Sequence, residues 1–187
     1  MNWKFFRTHL FSRLPLEEIV NELRDFDQRF RLITRKHIAV LGFWAVLNVL
    51  IGLPAIFLWD GAIQYFFMMN ITWGLINYGV TYWIYDHSIY RKFTKGDSFE
   101  RFEAQRHVEK FMLFNLGLDI AYVCAGLYLK SLAYTCDGAF PDLWTGFGWS
   151  VLFQGAYLFV QDNVFHFLHM KNFKKAKPFL MKLLEER

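Results

Sequence analysis

Four runs of this 187-residue chain are each about twenty residues long and nearly free of charge, the length at which an α-helix crosses the hydrocarbon core of a bilayer. They occupy residues 38–59, 61–85, 111–132 and 143–161, the last continuing through Asp162 toward Phe167. The first two carry no charged side chain, and the third carries only Asp119 inside it and Lys130 near its end. A soluble amphipathic helix keeps one polar face for water; these runs do not. In lipid every backbone N–H and C=O must be satisfied within the segment or within a closed barrel, so apolar runs of this length imply helices. The fold class expected is all-α: a four-transmembrane-helix bundle with cytoplasmic amphipathic helical extensions. The chain is 55% hydrophobic and 20% aromatic, with no shift in composition that would separate two folding units.

The basic residues orient such a bundle. Eight Lys and Arg precede the first run, six lie between Arg91 and Lys110, six follow the fourth run, and only Lys130 is left for the other side. Cytoplasmic loops collect Lys and Arg, so both termini are expected in the cytoplasm. The net charge of +4 then describes a face near anionic lipid. No interleaved basic and aromatic stripe points to nucleic acid. The first apolar run starts at residue 38, too late and too long for a cleavable signal peptide. Cys124 falls mid-span and Cys136 in the outer loop, at different depths, and no CxxC is present, so neither a disulfide nor a redox pair is expected.

Three parts follow along the chain. Residues 1–37 form a cytoplasmic or interfacial N-terminal amphipathic helix, residues 38–168 the transmembrane domain, and residues 169–187 a basic cytoplasmic tail. Within the first part Leu16, Ile19, Leu23, Phe26, Phe30 and Ile33 recur at helical spacing, opposite Glu22, Arg24, Arg31 and Arg35. Pro15, Glu17 and Glu18 suit the start of that helix. It can lie in the headgroup layer or pack on other cytoplasmic helices. The outer connection Trp59-Asp60-Gly61 forces the first two spans to be antiparallel neighbours. The inner connection, residues 86–110, reads as two helical extensions around a turn, with Gly96 ending one and Asp97 and Glu100 capping the next. Pro178 is expected to break or kink the tail.

Asp119 carries the functional question. A carboxylate at membrane depth costs roughly 3 kcal/mol on insertion scales and usually faces a bundle interior. Asn115, Asp119, Tyr122 and Gly126 share one helix face, as do Asn70, Gly74, Asn77 and Thr81 in the second span. Gln154, Tyr157 and Gln161 share a face in the fourth span, and the first span offers Asn48 and Gly52. At ~1.5 Å rise per residue these side chains fall at similar depths, and one polar layer drawing on every helix is expected. The ligand-binding candidates are thus Asp119, Asn115, Tyr122, Asn77, Asn70, Asn48, Gln154 and Gln161. Polar side chains between membrane helices often serve only as glue, at ~0.6 kcal/mol each, and that reading stands beside the functional one.

A second set sits at the inner boundary: Asp86, His87, His107, Asp162, His166 and His169, with His37 nearby. Asp162 and His166, four apart on one helix, could hold a divalent metal. The Glu-x-x-His spacing of bundle metal sites is absent, and no metal ligand or cofactor is assigned. No GxSxG, HExxH or phosphate-binding glycine loop occurs, which weighs against an enzyme. The glycines and aromatics suit packing between copies as well as within one, so a homo-oligomer is compatible with the sequence.

The strings Asn115-Leu-Gly-Leu-Asp-Ile-Ala-Tyr122, Gly126-Leu-Tyr-Leu129 and Gly146-Phe-Gly-Trp149, with Gln154-Gly155, Asp162 and the run 70–79, carry a resemblance. They resemble a family of small uncharacterised bacterial four-span integral membrane proteins, a domain of unknown function. The resemblance covers roughly residues 38–165, leaving out the N-terminal helix and the tail. It implies the fold and a multi-pass place in the bacterial inner membrane, and it transfers no mechanism. The function expected is a membrane protein binding a small molecule or ion in a polar intramembrane core. The alternatives are a structural or interaction scaffold in the membrane and, further off, a metal-dependent membrane enzyme.

The charge count makes the orientation testable. Cysteines placed along residues 86–110 should react only with reagents applied from the cytoplasmic side, and a cysteine at Asp137 only from outside. Labelling of a Lys95→Cys variant from outside would overturn the orientation.

Overall fold

Two residues, Trp59 and Asp60, separate the first pair of helices, and the turn there sets one end of the molecule. In the computed structural model, which describes residues 16–86, 98–135 and 140–185, Gly61 adopts a φ of 63°, open to glycine at little cost. That turn reverses the chain between α1 (Leu16–Leu58) and α2 (Gly61–Ile84). Gln64 Nε2 donates to the Ile56 carbonyl at 2.9 Å and ties the start of α2 to the end of α1. At the same end α3 (Ser98–Thr135) is followed by α4 (Pro141–Glu185). Pro141 suits the first helical position because its φ is preset and its missing N–H would be unpaired there anyway. The described residues are all-α, with these four helices and no strand.

The helices are unequal. α2 has 24 residues, whereas α1, α3 and α4 have 43, 38 and 45, or ~36 Å against ~57–68 Å at 1.5 Å per residue. The three long helices therefore extend past α2 at the end away from the two turns. α1 is one continuous helix, so the amphipathic segment and the first apolar run, read separately in the sequence, are joined. Between Leu16 and Gly42 nothing interrupts it: Arg35, Lys36 and His37 are compatible with helix. Its apolar face does not lie free. Phe26 and Leu23 pack on Ala176, Phe173 and Leu180 of α4, so of the two placements open in the sequence the structure has the helix-on-helix one. The same contact explains Pro178, which lies inside α4 without ending it; tertiary packing on both sides of the proline outweighs its local cost. Pro15, His87, Gly96, Asp97, Cys136 and the rest of the segments they mark lie outside the described residues.

Helix α4 is the hub. It packs along α3, α2 and α1, and α1 packs on α2, while α3 barely meets α1 and scarcely approaches α2. Glycines allow the tightest of these approaches. A Cβ on Gly126 would lie 2.6 Å from the Leu152 nitrogen and 2.8 Å from the Gly148 carbonyl oxygen, so α3 and α4 touch backbone to backbone there. Gly146 brings α4 against Ala62 and Phe66 of α2 in the same way. The inward face of α4 runs Ser150, Gln154, Leu158, Gln161, Phe165, His169, Asn172 and Ala176, all buried. The steps of four and three are those of a coiled-coil seam. Most of that seam is polar, while Phe43, Leu50, Phe57, Leu75, Phe114 and Val160 are exposed on the outer surface.

Close backbone contact predicts a steric asymmetry between glycines of α3. Gly126→Ala should lower the midpoint of unfolding in detergent, because the backbone of α4 has nowhere to go; overpacking of this kind costs typically 1–3 kcal/mol. Gly117→Ala, where nothing lies within 4 Å of the added carbon, should leave it unchanged or raise it. Equal effects at both positions would contradict the packing.

Candidate functional site

The buried polar side chains fall on two levels of the bundle. The first is built around Gln154, which is fully buried. Its Nε2 donates to Asn48 Oδ1 at 2.7 Å and to Asn70 Oδ1 at 2.9 Å. Its Oε1 accepts from the Trp44 indole nitrogen at 2.8 Å. Ser150 Oγ donates to the same Asn70 oxygen at 2.7 Å, and Asn48 Nδ2 donates back to the Trp44 carbonyl at 2.8 Å. Trp44 also stacks on Tyr157 with ring centroids 3.7 Å apart. One amide thus ties α1, α2 and α4 together, and little of its hydrogen-bonding capacity is left over.

A layer of rings and aliphatic side chains lies next to it. Leu41, Trp73 and Leu158 pack together with Met69, Tyr122 and Tyr157, and Trp73 meets Tyr122 edge to face at 4.9 Å. One helical turn further from the two turns of the bundle comes the second polar level. Asn77 follows Trp73 by four residues on α2, Gln161 follows Leu158 by three on α4, and Asp119 precedes Tyr122 by three on the oppositely directed α3. All three are buried, Asp119 to 3% exposure. Side chains lean toward their own helix N-terminus, which tips Asp119 toward this level from one side and Gln161 from the other. Here the polar atoms lack protein partners. Asn77 Nδ2, Asp119 Oδ2, both Gln161 amide atoms and the nearby Trp73 Nε1 are buried with no hydrogen bond. Natural structures leave few such atoms, and each calls for an explanation.

The sequence expectation of a single layer is therefore replaced by two. Asn48, Asn70 and Gln154 belong to the bonded level, and Asn77, Asp119 and Gln161 to the unbonded one. Tyr122 lies between the levels. Asn115 is only half-buried, one turn beyond Asp119. Depth counted along separate helices could not resolve a separation of two turns; the parallel register of α2 and α4, with Asn70 opposite Gln154, does. Trp44, Ser150 and Trp73 were not singled out by sequence. Only their spacing on the seam, Ser150 four before Gln154 and Trp73 four before Asn77, could have found them.

Beyond the second level the bundle turns ionisable. His37 Nε2 and Asp162 Oδ1 are 3.2 Å apart, and the His37 ring stacks on Phe165 at 4.5 Å. Asp162 thus meets α1, where the sequence had weighed it with His166 of its own helix. Deeper still, Gln105 Nε2 donates to the His169 carbonyl at 2.6 Å and to Glu109 Oε1 at 3.1 Å. His169 is buried against Phe30, with ring centroids 5.2 Å apart. Burial first, then the nearby His37 and His166, pushes its imidazole from 6.5 down to about 3. Among the described residues no three His, Cys, Asp or Glu side chains converge as a metal site would require.

A family model, described as a family of unknown function (DUF6992), matches residues 40–163. That span takes in both polar levels and Asp162. No curated protein and no solved structure matches the chain.

The neutral His169 makes stability depend on pH with a definite sign. Its folded value lies below its unfolded one, so the unfolded chain binds the extra proton. Stability is then full above about pH 6.5 and falls as the pH drops toward 3, by at most ~1.4 kcal/mol per unit. His169→Phe keeps a ring against Phe30 and removes the titration. Unfolding midpoints measured from pH 7.5 to pH 5 should fall less steeply for the variant than for the wild type; identical slopes would contradict a buried neutral imidazole.

Proposed function

We propose that this chain, which belongs to the family of unknown function DUF6992, is a four-span membrane protein that holds a small molecule or ion at the level of Asn77, Asp119 and Gln161. The inverted distribution of its side chains supports the membrane part. Phe57 is 84% exposed while Gln154 is fully buried, the reverse of what water selects. Two helices, α1 and α3, carry stretches long and apolar enough to cross a membrane. α2 and the first half of α4 add uncharged runs whose asparagines, glutamines and serine turn inward. Exposed Trp59, Tyr134 and Phe140 at the turn end and Tyr82, Trp83 and Tyr85 at the far end of α2 resemble the aromatic belts found at the two membrane interfaces. The stretch of α2 between them is ~32 Å long, close to the hydrocarbon thickness. Twenty of the 21 basic residues lie outside the spans on the side of the termini, which favours a cytoplasmic placement of both ends and, with the resemblance, a bacterial inner membrane.

The single observation that carries the binding reading is the contrast between the levels. Gln154 shows that this chain can pair buried amides when they serve as glue. One layer away, four side chains from three helices retain unpaired donors and acceptors, at ~1–3 kcal/mol for each group left unsatisfied. Glue does not explain polar atoms that bond to nothing. A site that completes its hydrogen bonds with a bound partner does, since sites trade stability for function.

Native mass spectrometry of protein extracted in a mild detergent tests it. The wild type should carry a bound non-protein mass, and Asp119→Leu should lose it while remaining folded by circular dichroism. A wild type free of any bound mass in several detergents would contradict the reading and leave the bundle as a scaffold.

A further inference from the structure

The unpaired atoms at this level have a definite hydrogen-bond valence, and it restricts what can bind. Trp73 Nε1 is a donor with no acceptor form. Gln161 presents one donor and one acceptor whichever way its amide is turned, and both are unpaired. Asn77 adds a donor through Nδ2 and Asp119 an acceptor through Oδ2. Three unpaired donor nitrogens therefore accompany two unpaired oxygens. A bare metal cation needs a shell of oxygens, six to eight for calcium and a near-octahedral set for magnesium. The unpaired set offers two oxygens among three donor nitrogens, too few for such a shell. A bare anion meets three donors and a carboxyl group together. A group that both accepts and donates satisfies the whole set.

The surroundings restrict it further. α2 and α3 scarcely approach each other, and at the ring layer the Trp73–Tyr122 contact bridges them. Below that bridge Asn77 and Asp119 stand on the two sides of this separation, with Gln161 of α4 behind them. The outer flanks are apolar: Leu75, Ile76, Tyr78 and Val80 on α2 and Leu113, Phe114 and Ile120 on α3 are exposed. Toward the turns of the bundle the layer of Trp73, Leu158 and Tyr122 closes the level off from the Gln154 network.

We infer that the Asn77–Asp119–Gln161 level binds a neutral molecule through a hydroxyl or carbonyl group, reached between α2 and α3, and that it is not an ion site. The inference rests on the binding reading above and narrows its ligand class. Two sources share this chemistry: the uncharged headgroup of a membrane amphiphile, and a small hydroxylated solute.

The test compares probes on purified full-length protein in detergent, read by the unfolding temperature and by native mass. 1-Oleoylglycerol supplies the hydroxyl headgroup on a chain, glycerol the headgroup alone, and sodium, potassium and magnesium chlorides the ions. A saturable rise with 1-oleoylglycerol alone, abolished in the Asn77→Leu/Asp119→Leu double variant, supports the inference with a lipid source. The same rise with glycerol at comparable concentration supports it with a soluble source. Should the double variant fail to fold, a 1-oleoylglycerol adduct on the wild type that is lost in Gln161→Leu decides the matter by mass. Saturable stabilisation by a cation without response to either hydroxyl probe overturns the inference and leaves the binding reading standing. No response to any probe, in a wild type that also carries no bound mass, overturns both.

Discussion

Hydrogen bonding by one buried amide holds this bundle in register. Gln154 donates to Asn48 and Asn70 and accepts from Trp44, so a single side chain of α4 fixes the heights of α1 and α2. In the proposed membrane setting, lipid competes with protein for every apolar contact, and such bonds together with close packing are what specify the partners. The rest of the molecule follows from that register. With Asn70 level with Gln154, Trp73 comes to Leu158 and Asn77 to Gln161. With Trp44 against Tyr157, His37 comes to Asp162 and Phe26 to the end of α4. Glycines at 126, 148 and 155 then draw α3 onto the opposite flank of α4, which leaves α2 and α3 apart.

The seam of α4 therefore carries two kinds of polar residue in one continuous stripe. Ser150 and Gln154 are bonded to neighbouring helices, and Asn172 bonds to Arg29 and to the Phe26 carbonyl. Gln161, between them, bonds to nothing in the protein. The stripe is thus bonded at Ser150, Gln154 and Asn172 and unsatisfied at Gln161, with His169 Nδ1 further along also unpaired. The part at Gln161 coincides with the one buried carboxylate of the apolar runs and with the gap between α2 and α3. A packing fault would have no reason to gather donors and acceptors from three helices at one depth.

Much of this was legible in the sequence, for a reason that can be named. Helical periodicity assigns faces, and it placed Asn70 with Asn77, Asp119 with Gly126, and Gln154 with Gln161, all turned inward. Periodicity along one helix says nothing of its height against another. Asn48 was therefore drawn to the level of Asp119 when its partner is Gln154 two turns away. The pairing of His37 with Asp162 was hidden for the same reason, and local spacing favoured His166 instead. Passage of α4 through Pro178 escaped because it depends on the packing of Phe26 and Leu23 against Phe173, Ala176 and Leu180. That contact joins residues about 150 apart in the chain.

The claim that the two levels differ in kind is tested most directly by their stabilities under the same substitution. Reversible unfolding of Gln154→Leu and Asp119→Leu should be measured side by side in bicelles. Gln154→Leu strands the Trp44 indole N–H and Asn48 Oδ1, while Asn70 Oδ1 keeps Ser150, and it should lose ~1–3 kcal/mol for each group left unpaired. Asp119→Leu removes a buried carboxyl whose Oδ2 has no protein partner, and it should be as stable as the wild type or more so. A loss at Asp119 equal to that at Gln154 would show that both levels are glue and would contradict the account.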